Sequence, residues 1–258
     1  RNLSCSGALP LAVTDCLNFG NPERPDIYHQ LERCIQGIAE ACRVLEVPVI
    51  SGNVSLYNES RGQAIFPTPV VGGLGLLEDA TKATRSAFAK GGLVVALLGA
   101  NTSEVESSDL AGSEYLQCIH GRVAGSPKID LGLEKRVQQA CRRAIDQGWI
   151  SSAHDCSEGG LAVALAECSI QSGIGFTGDF PVPDRWDAAL FGERQSRIVV
   201  SLLEEQWSAF SGLAADLDVP AMKLGYTGGD RFRLNGQVDL PVSQISDVWN
   251  NGLEAASG

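Results

Sequence analysis

Between Asp26 and Leu45 the apolar residues Ile27, Leu31, Cys34, Ile35, Ile38, Cys42 and Leu45 recur every three or four positions. That is the period of a helix with one face turned to a core. Pro25 and Asp26 open it well, because proline in the first turn sacrifices no bond and a carboxylate favours the positive end of the helix dipole. The apolar runs on either side are shorter. Residues 9–17 read as a short buried strand ending in polar groups, and Asn18–Pro25 as a loop rich in Gly, Asn and Pro. Val47–Ile50 predicts a strand that runs into Ser51-Gly52-Asn53, and residues 64–77 predict another. The opening region is therefore an α/β unit, strand, helix, strand, strand, with its polar loops at strand ends.

Charged residues fill positions 78–92 and close on Lys90-Gly91-Gly92, which marks a boundary. Beyond it the pattern predicts a strand over Leu93–Leu98, helices near 110–119 and 131–147, a loop over Ser151–Gly160 and a helix from Leu161 to about Gln171. A strand over Arg197–Leu202, a helix near 204–216 and a β-rich tail from Met222 complete it. Strands alternating with helices indicate a second α/β or α+β domain. The expected division is residues 1–78 and residues 79–258.

The 258 residues carry 31 Asp and Glu against 20 Lys and Arg, a net charge of −11. Such a balance argues against nucleic acid as a partner, because phosphate backbones reward basic residues. A nucleotide remains compatible, since backbone N–H groups and a metal ion can hold phosphates on an acidic protein. The 8 cysteines form no C-x-x-C and the 3 histidines lie apart, so reduced thiols in a cytoplasmic protein are expected rather than zinc or disulfides. No run is apolar enough for a membrane span. The opening Arg1-Asn2-Leu3-Ser4-Cys5 has no initiator Met and no cap, as though a helix had been cut partway in a longer protein.

Three polar constellations could carry chemistry. Asp15, at the end of its strand, suits a metal ion or a ribose hydroxyl, or else caps the following turn. In Ser51-Gly52-Asn53-Val54-Ser55, Gly52 admits a ligand close to the backbone and the Asn53 amide oxygen suits Mg²⁺, with hydroxyls on either side; a polar turn explains the same residues. In His154-Asp155-Cys156-Ser157-Glu158-Gly159-Gly160, the glycines at a helix start leave N–H groups for a phosphate, unless Ser157 or Glu158 caps them. A nucleophilic role for Cys156 beside His154 has no supporting context. Gly192-Glu193-Arg194-Gln195-Ser196-Arg197 reads as a solvated approach to a strand.

The blocks Leu11–Pro22, Pro48–Glu59, Pro67–Gly72 and Ala153–Glu167, with Gly112–Tyr115 and Phe191–Glu193, resemble consecutive blocks of the phosphoribosylformylglycinamidine synthase family over almost the whole chain. The resemblance implies a protein of two pseudo-symmetric halves. Each half is a ferredoxin-like domain followed by a domain of the aminoimidazole ribonucleotide synthetase C-terminal type, and this chain is similar to the second half without its start. It implies an ATP-dependent ligase of purine biosynthesis that turns formylglycinamide ribonucleotide and ammonia into the amidine. Position by position it makes Asp15 and Gly52 ATP contacts, Asn53 a Mg²⁺ ligand and Ser55 a substrate contact. Ser157, Gly159 and Gly160 become a secondary phosphate site. The family's catalytic His and its metal carboxylates belong to the half not seen here, so no catalytic residue is assigned and independent catalysis is not expected. The implied partners are that N-terminal half and a glutaminase, either fused or as a separate subunit with a small accessory subunit. A homodimer through an exposed strand edge is a further reading. The alternatives are a non-catalytic nucleotide-binding or scaffolding half, or a related ATP-dependent synthetase of the superfamily.

Overall fold

The computed structural model describes residues 1–103 and 105–257. The chain forms two compact units, Ala8–Glu78 and Asp79–Gly258, the latter joined by Arg1–Gly7. Those first residues hold a one-turn helix, α1 (Asn2–Cys5), whose Cys5 lies in the core of the larger unit.

In the smaller unit β1 (Leu9–Asn18), α2 (Pro25–Leu45), β2 (Val49–Ser55) and β5 (Thr68–Leu76) are joined by a short hairpin of β3 (Glu59–Ser60) and β4 (Gln63–Ala64). The sheet order is β2-β1-β5, parallel between β1 and β2 and antiparallel between β1 and β5. Helix α2 starts at Pro25 and ends on Glu46 in the left-handed conformation, close to the expected span. A small core gathers Leu17, Phe19 and Ile27, with Leu31, Cys34, Ile38, Leu56 and Ala64 packed against it. The expectation of a short buried β1 holds in part: Ala12 and Leu17 are buried, while Leu9 and Leu11 are exposed.

The larger unit is built on a seven-stranded sheet, in the order β12 (Val238–Pro241), β11 (Arg231–Leu234), β8 (Phe176–Gly178), β10 (Ala221–Thr227), β6 (Val94–Gly99), β9 (Arg197–Leu202), β7 (Ile150–Asp155). Pairing is antiparallel except between β8 and β11. Strands β6 and β9 are buried along their whole length, because both sheet faces are covered. Val94, Ala96, Leu98, Ile198 and Val200 enter one core with α4 (Leu131–Asp146) and α7 (Trp207–Asp216). Val95, Leu97 and Val199 enter the other with α5 (Gly160–Ser172). The alternation follows from successive side chains leaving opposite sides of a strand.

Two predicted loops are strands instead. Ser51–Ser55 belongs to β2 and Ser151–Asp155 to β7. Gly, Asn, Ser and Asp are weak strand formers, yet pairing to β1 and β9 supplies their backbone bonds. The predicted helix at 110–119 divides into a 3₁₀ turn, Ser107–Leu110, and α3 (Glu114–His120). A helix α6 (Trp186–Phe191) precedes β9, and the expected β-rich tail closes in a helix, α8 (Val242–Ser257).

Candidate functional site

The parallel register sets Asp15 opposite Gly52, Cys16 opposite Asn53, Thr14 opposite Ser51 and Asn18 opposite Ser55. The two polar motifs, separated in sequence by a whole helix, are thus one ladder. A Cβ built on Gly52 would overlap the Asp15 carboxylate. Glycine at position 52 is what gives that carboxylate its place, and any larger residue would displace it. On the other flank of β1, a Cβ at Gly72 would come within 2.9 Å of the Thr14 hydroxyl oxygen. Cross-strand partners share a face and neighbours alternate, so Asp15 and Gly52 lie on one face of the sheet and Asn53 and Ser55 on the other. Strand β2 is one of the two edge strands of its sheet, and at an edge a ligand can reach both faces.

Ser55 ends β2 and is held from the loop that follows. Asn58 Nδ2 donates to the Ser55 carbonyl (2.8 Å) and to the Phe19 carbonyl (3.1 Å) and lies 3.1 Å from Ser55 Oγ. Ser55 Oγ in turn lies 3.3 Å from Asn58 Oδ1. Beyond Asn58 opens a cleft of about 890 Å³, lined by Asn18, Asn58, Arg61, Gln63, Phe66 and Thr68 among others.

Fit to a hard cation is partial. The Asn53 amide oxygen is a suitable donor, but among the described residues no group of three or more His, Cys, Asp and Glu could hold a metal ion.

The predicted secondary site has a different character in space. The N–H of Gly159, at the start of α5, donates to Glu193 Oε1 (2.9 Å), which also accepts from the Glu114 N–H (2.8 Å). A carboxylate of the chain thus sits at the positive end of α5, as the dipole favours. A phosphate binding there would have to displace it. Gly160, with φ +71°, is needed for close approach, since a Cβ would overlap the Phe191–Gly192 backbone. Ser157 turns away to donate to Asp155 (2.8 Å). His154 pairs with Glu167 (2.6 Å). Burial pushes the Cys156 thiol up to about 11, which keeps it protonated and unfit as a nucleophile.

The segment 192–197, expected to be solvated, is largely internal. Arg197 is fully buried and donates to the carbonyls of Ala189, Gly192 and Arg194. It thereby fixes the loop that carries Glu193. Glu134, to which no role was assigned, is buried between Arg1 (3.1 Å), Ser196 (2.8 Å) and Gln138 (2.9 Å). Burial pushes its carboxyl up, but Arg1, Gln138 and Ser196 outweigh that and hold it below the ordinary glutamate value. A signal for it was present: Glu134 lies on the same helical stripe as Val137, Cys141 and Ala144.

Two family models account for most of the chain: AIR synthase related protein, N-terminal domain, over residues 1–77, and AIR synthase related protein, C-terminal domain, over residues 90–236. The chain belongs to the AIR synthase related family. A phosphoribosylformylglycinamidine synthase subunit PurL of Anaeromyxobacter sp. (strain Fw109-5) is 49% identical over 266 residues, covering 99% of this chain and 34% of that protein. This chain therefore spans about a third of the length of the curated relatives it matches. Among solved structures, T. maritima PurL complexed with FGAR superposes with a TM-score of 0.74 at 18% identity, covering 95% of this chain and 41% of that one. T. maritima PurL complexed with ATP gives 0.69 at 18% identity, covering 95% and 39%. At that identity the likeness carries the AIR synthase related fold.

Proposed function

We propose that this chain is part of the C-terminal half of an ATP-dependent phosphoribosylformylglycinamidine synthase and supplies one wall of its nucleotide site. The observation that carries the reading is the paired register of Asp15 and Gly52, with the carboxylate in the space that only glycine leaves open. Asp15 and the bare backbone at Gly52 are the ATP contacts of this reading. Asn53 offers its amide oxygen to Mg²⁺, and Ser55 meets the substrate, formylglycinamide ribonucleotide. The near-half identity of the Anaeromyxobacter PurL across the whole chain supports it, and so does the edge position of β2. When bound, ATP and Mg²⁺ supply activation of the substrate amide oxygen as a leaving group, which ammonia from a glutaminase displaces. In this reading the residues here bind and orient, and the groups that move protons lie in the remainder of the longer protein.

The test is Asn53→Ala in the full-length enzyme, reading ADP release against Mg²⁺ concentration. Loss of a metal ligand should reduce the rate at least about tenfold and shift the Mg²⁺ requirement upward. An unchanged rate and an unchanged Mg²⁺ curve would refute the metal assignment.

A further inference from the structure

Two glycines bare two consecutive residues of β1, one on each side of the sheet. Gly52, on β2, leaves the space that the Asp15 carboxylate fills. Gly72, on β5, leaves the Thr14 hydroxyl open, since a Cβ there would come within 2.9 Å of its oxygen. The register puts Thr14 between Ser51 and Gly72, Cys16 between Asn53 and Val70, and Asn18 between Ser55 and Thr68. Cross-strand partners share a face and alternate residues repeat it. Thr14 with Ser51, then Asn53, then Ser55 therefore stand in that order along one face, and Asp15 stands on the other. Steps of two residues set these rows about 7 Å apart.

None of the residues in the three rows is an Asp, Glu, Lys or Arg. Thr14, Ser51 and Asn53 are exposed, and among the described residues their side chains have no hydrogen-bond partner. The Ser55 end is already engaged. Asn58 Nδ2 bonds to Ser55 O, Ser55 Oγ and Phe19 O, and Asn18 Nδ2 bonds to the Thr68 carbonyl (3.2 Å). The free polar groups of this face thus lie at Thr14, Ser51 and Asn53. An anion meets no like charge there, whereas on the opposite face the Asp15 carboxylate repels one.

We infer that the Thr14 hydroxyl, with Ser51 across from it, binds the phosphate chain of the nucleotide on the side of Asn53 away from Ser55. This rests on the reading of Asn53 as the Mg²⁺ ligand and Ser55 as the substrate contact. Substrate, metal and phosphates then follow one another along one face. That is the order phosphoryl transfer to the substrate oxygen requires, with the metal where the charge develops.

The experiment uses the full-length enzyme. Thr14→Val keeps the shape and removes the hydroxyl, Thr14→Ser keeps the hydroxyl, and Gly72→Ala is made alone and with Thr14→Val. The KM for ATP, the KM for formylglycinamide ribonucleotide and the melting temperature are measured. Thr14→Val should raise the ATP KM about tenfold, through loss of one hydrogen bond to a charged acceptor. The ribonucleotide KM should stay within about twofold, and Thr14→Ser should bring the ATP KM back to within about twofold. Gly72→Ala crowds the hydroxyl, so it should raise the ATP KM on its own and add nothing to Thr14→Val. A purely structural Thr14 would lower the melting temperature and move both KM values together; that result overturns the inference, as does a rise in the ribonucleotide KM alone. The preference for ATP over deoxyATP should be the same with and without the hydroxyl. A changed preference would place Thr14 at the ribose and overturn the assignment. If Asn53→Ala leaves the Mg²⁺ curve unchanged, the metal reading fails and this inference with it. If Asn53→Ala acts as expected and Thr14→Val leaves the ATP KM unchanged, the inference alone fails.

Discussion

The two sheets of this protein start from similar strand sequences and reach opposite environments. Val94–Leu98 is fully buried, with helices over both faces. Val70-Val71 and Leu74 of β5, just as apolar in sequence, are 54%, 50% and 57% exposed. The smaller unit has one long helix for three strands, and its core is confined to the end near Leu17, Phe19 and Ile27. An apolar run states that a segment can be buried; what buries it is set by the number of elements available to cover it. The candidate site lies on the poorly covered sheet, where side chains are still open to a ligand. In the larger unit, buried polar groups beside the sheet pair with one another, as in Glu134 with Arg1 and Ser196.

Three measurements can break or sharpen that contrast. The largest effect is expected in the larger unit. There Glu134→Ala takes from the buried Arg1 the nearer of its two carboxylates, leaving Asp155 at 3.7 Å, and strips Ser196 and Gln138 of their acceptor. It should cost about 3–5 kcal/mol in denaturant unfolding. The same pair makes stability depend on pH. The Glu134 carboxyl is held below its ordinary value in the folded state, so its contribution is complete above the unfolded pKa of about 4.3 and is lost as pH falls through the lower folded value. Acid titration of the unmodified protein should show that loss, and Glu134→Gln should flatten it.

The comparison itself is tested by a matched pair. Leu97→Ala, in a fully buried strand, should cost about 2–5 kcal/mol. Val71→Ala, on the exposed strand, should stay within about 0.5 kcal/mol. Equal costs would mean that the β5 face is covered in solution and that the two sheets do not differ in burial. The third effect is the smallest in stability and the most local. Gly52→Ala puts a Cβ on the Asp15 carboxylate and should cost about 1–3 kcal/mol by overpacking. Gly52→Ala combined with Asp15→Ala should recover the part of that loss due to the carboxylate and leave the part due to the Asp15 carbonyl oxygen, which the Cβ would approach to 2.7 Å. A double variant with no recovery would show that the carboxylate contributes nothing to the strain.

Much of the fold was legible along the chain. The spacing from Ile27 to Leu45 gave α2 almost to the residue, with Pro25 as its start, because a helix repeats its environment within a few positions. The apolar runs gave β6 and β9 for the same local reason. The strands through Ser51–Ser55 and Ser151–Asp155 were not legible, since their own propensities oppose them and only a neighbouring strand makes them extended. Helix α8 was missed at the end of a β-rich stretch. In the candidate site, the resemblance points to Asp15, Gly52, Asn53 and Ser55, while the bonds of the Asn58 amide to the Ser55 and Phe19 carbonyls, which hold the end of β2, join segments far apart in the chain and leave no local signal.

By itself the sequence determined the order of elements, the alternation of strand and helix that makes an α/β protein, and the residue types able to meet a nucleotide and a hard cation. Those follow from short-range sterics and periodicity, which need no partner. Only the tertiary structure decided that Asp15 stands beside Gly52, that Asn53 and Ser55 face the other way, and that Glu193 already occupies the helix start at Gly159. Each of these is a pairing between segments far apart in the chain, fixed by hydrogen-bond register and by the space a missing Cβ leaves, and neither quantity is written in any one stretch of sequence.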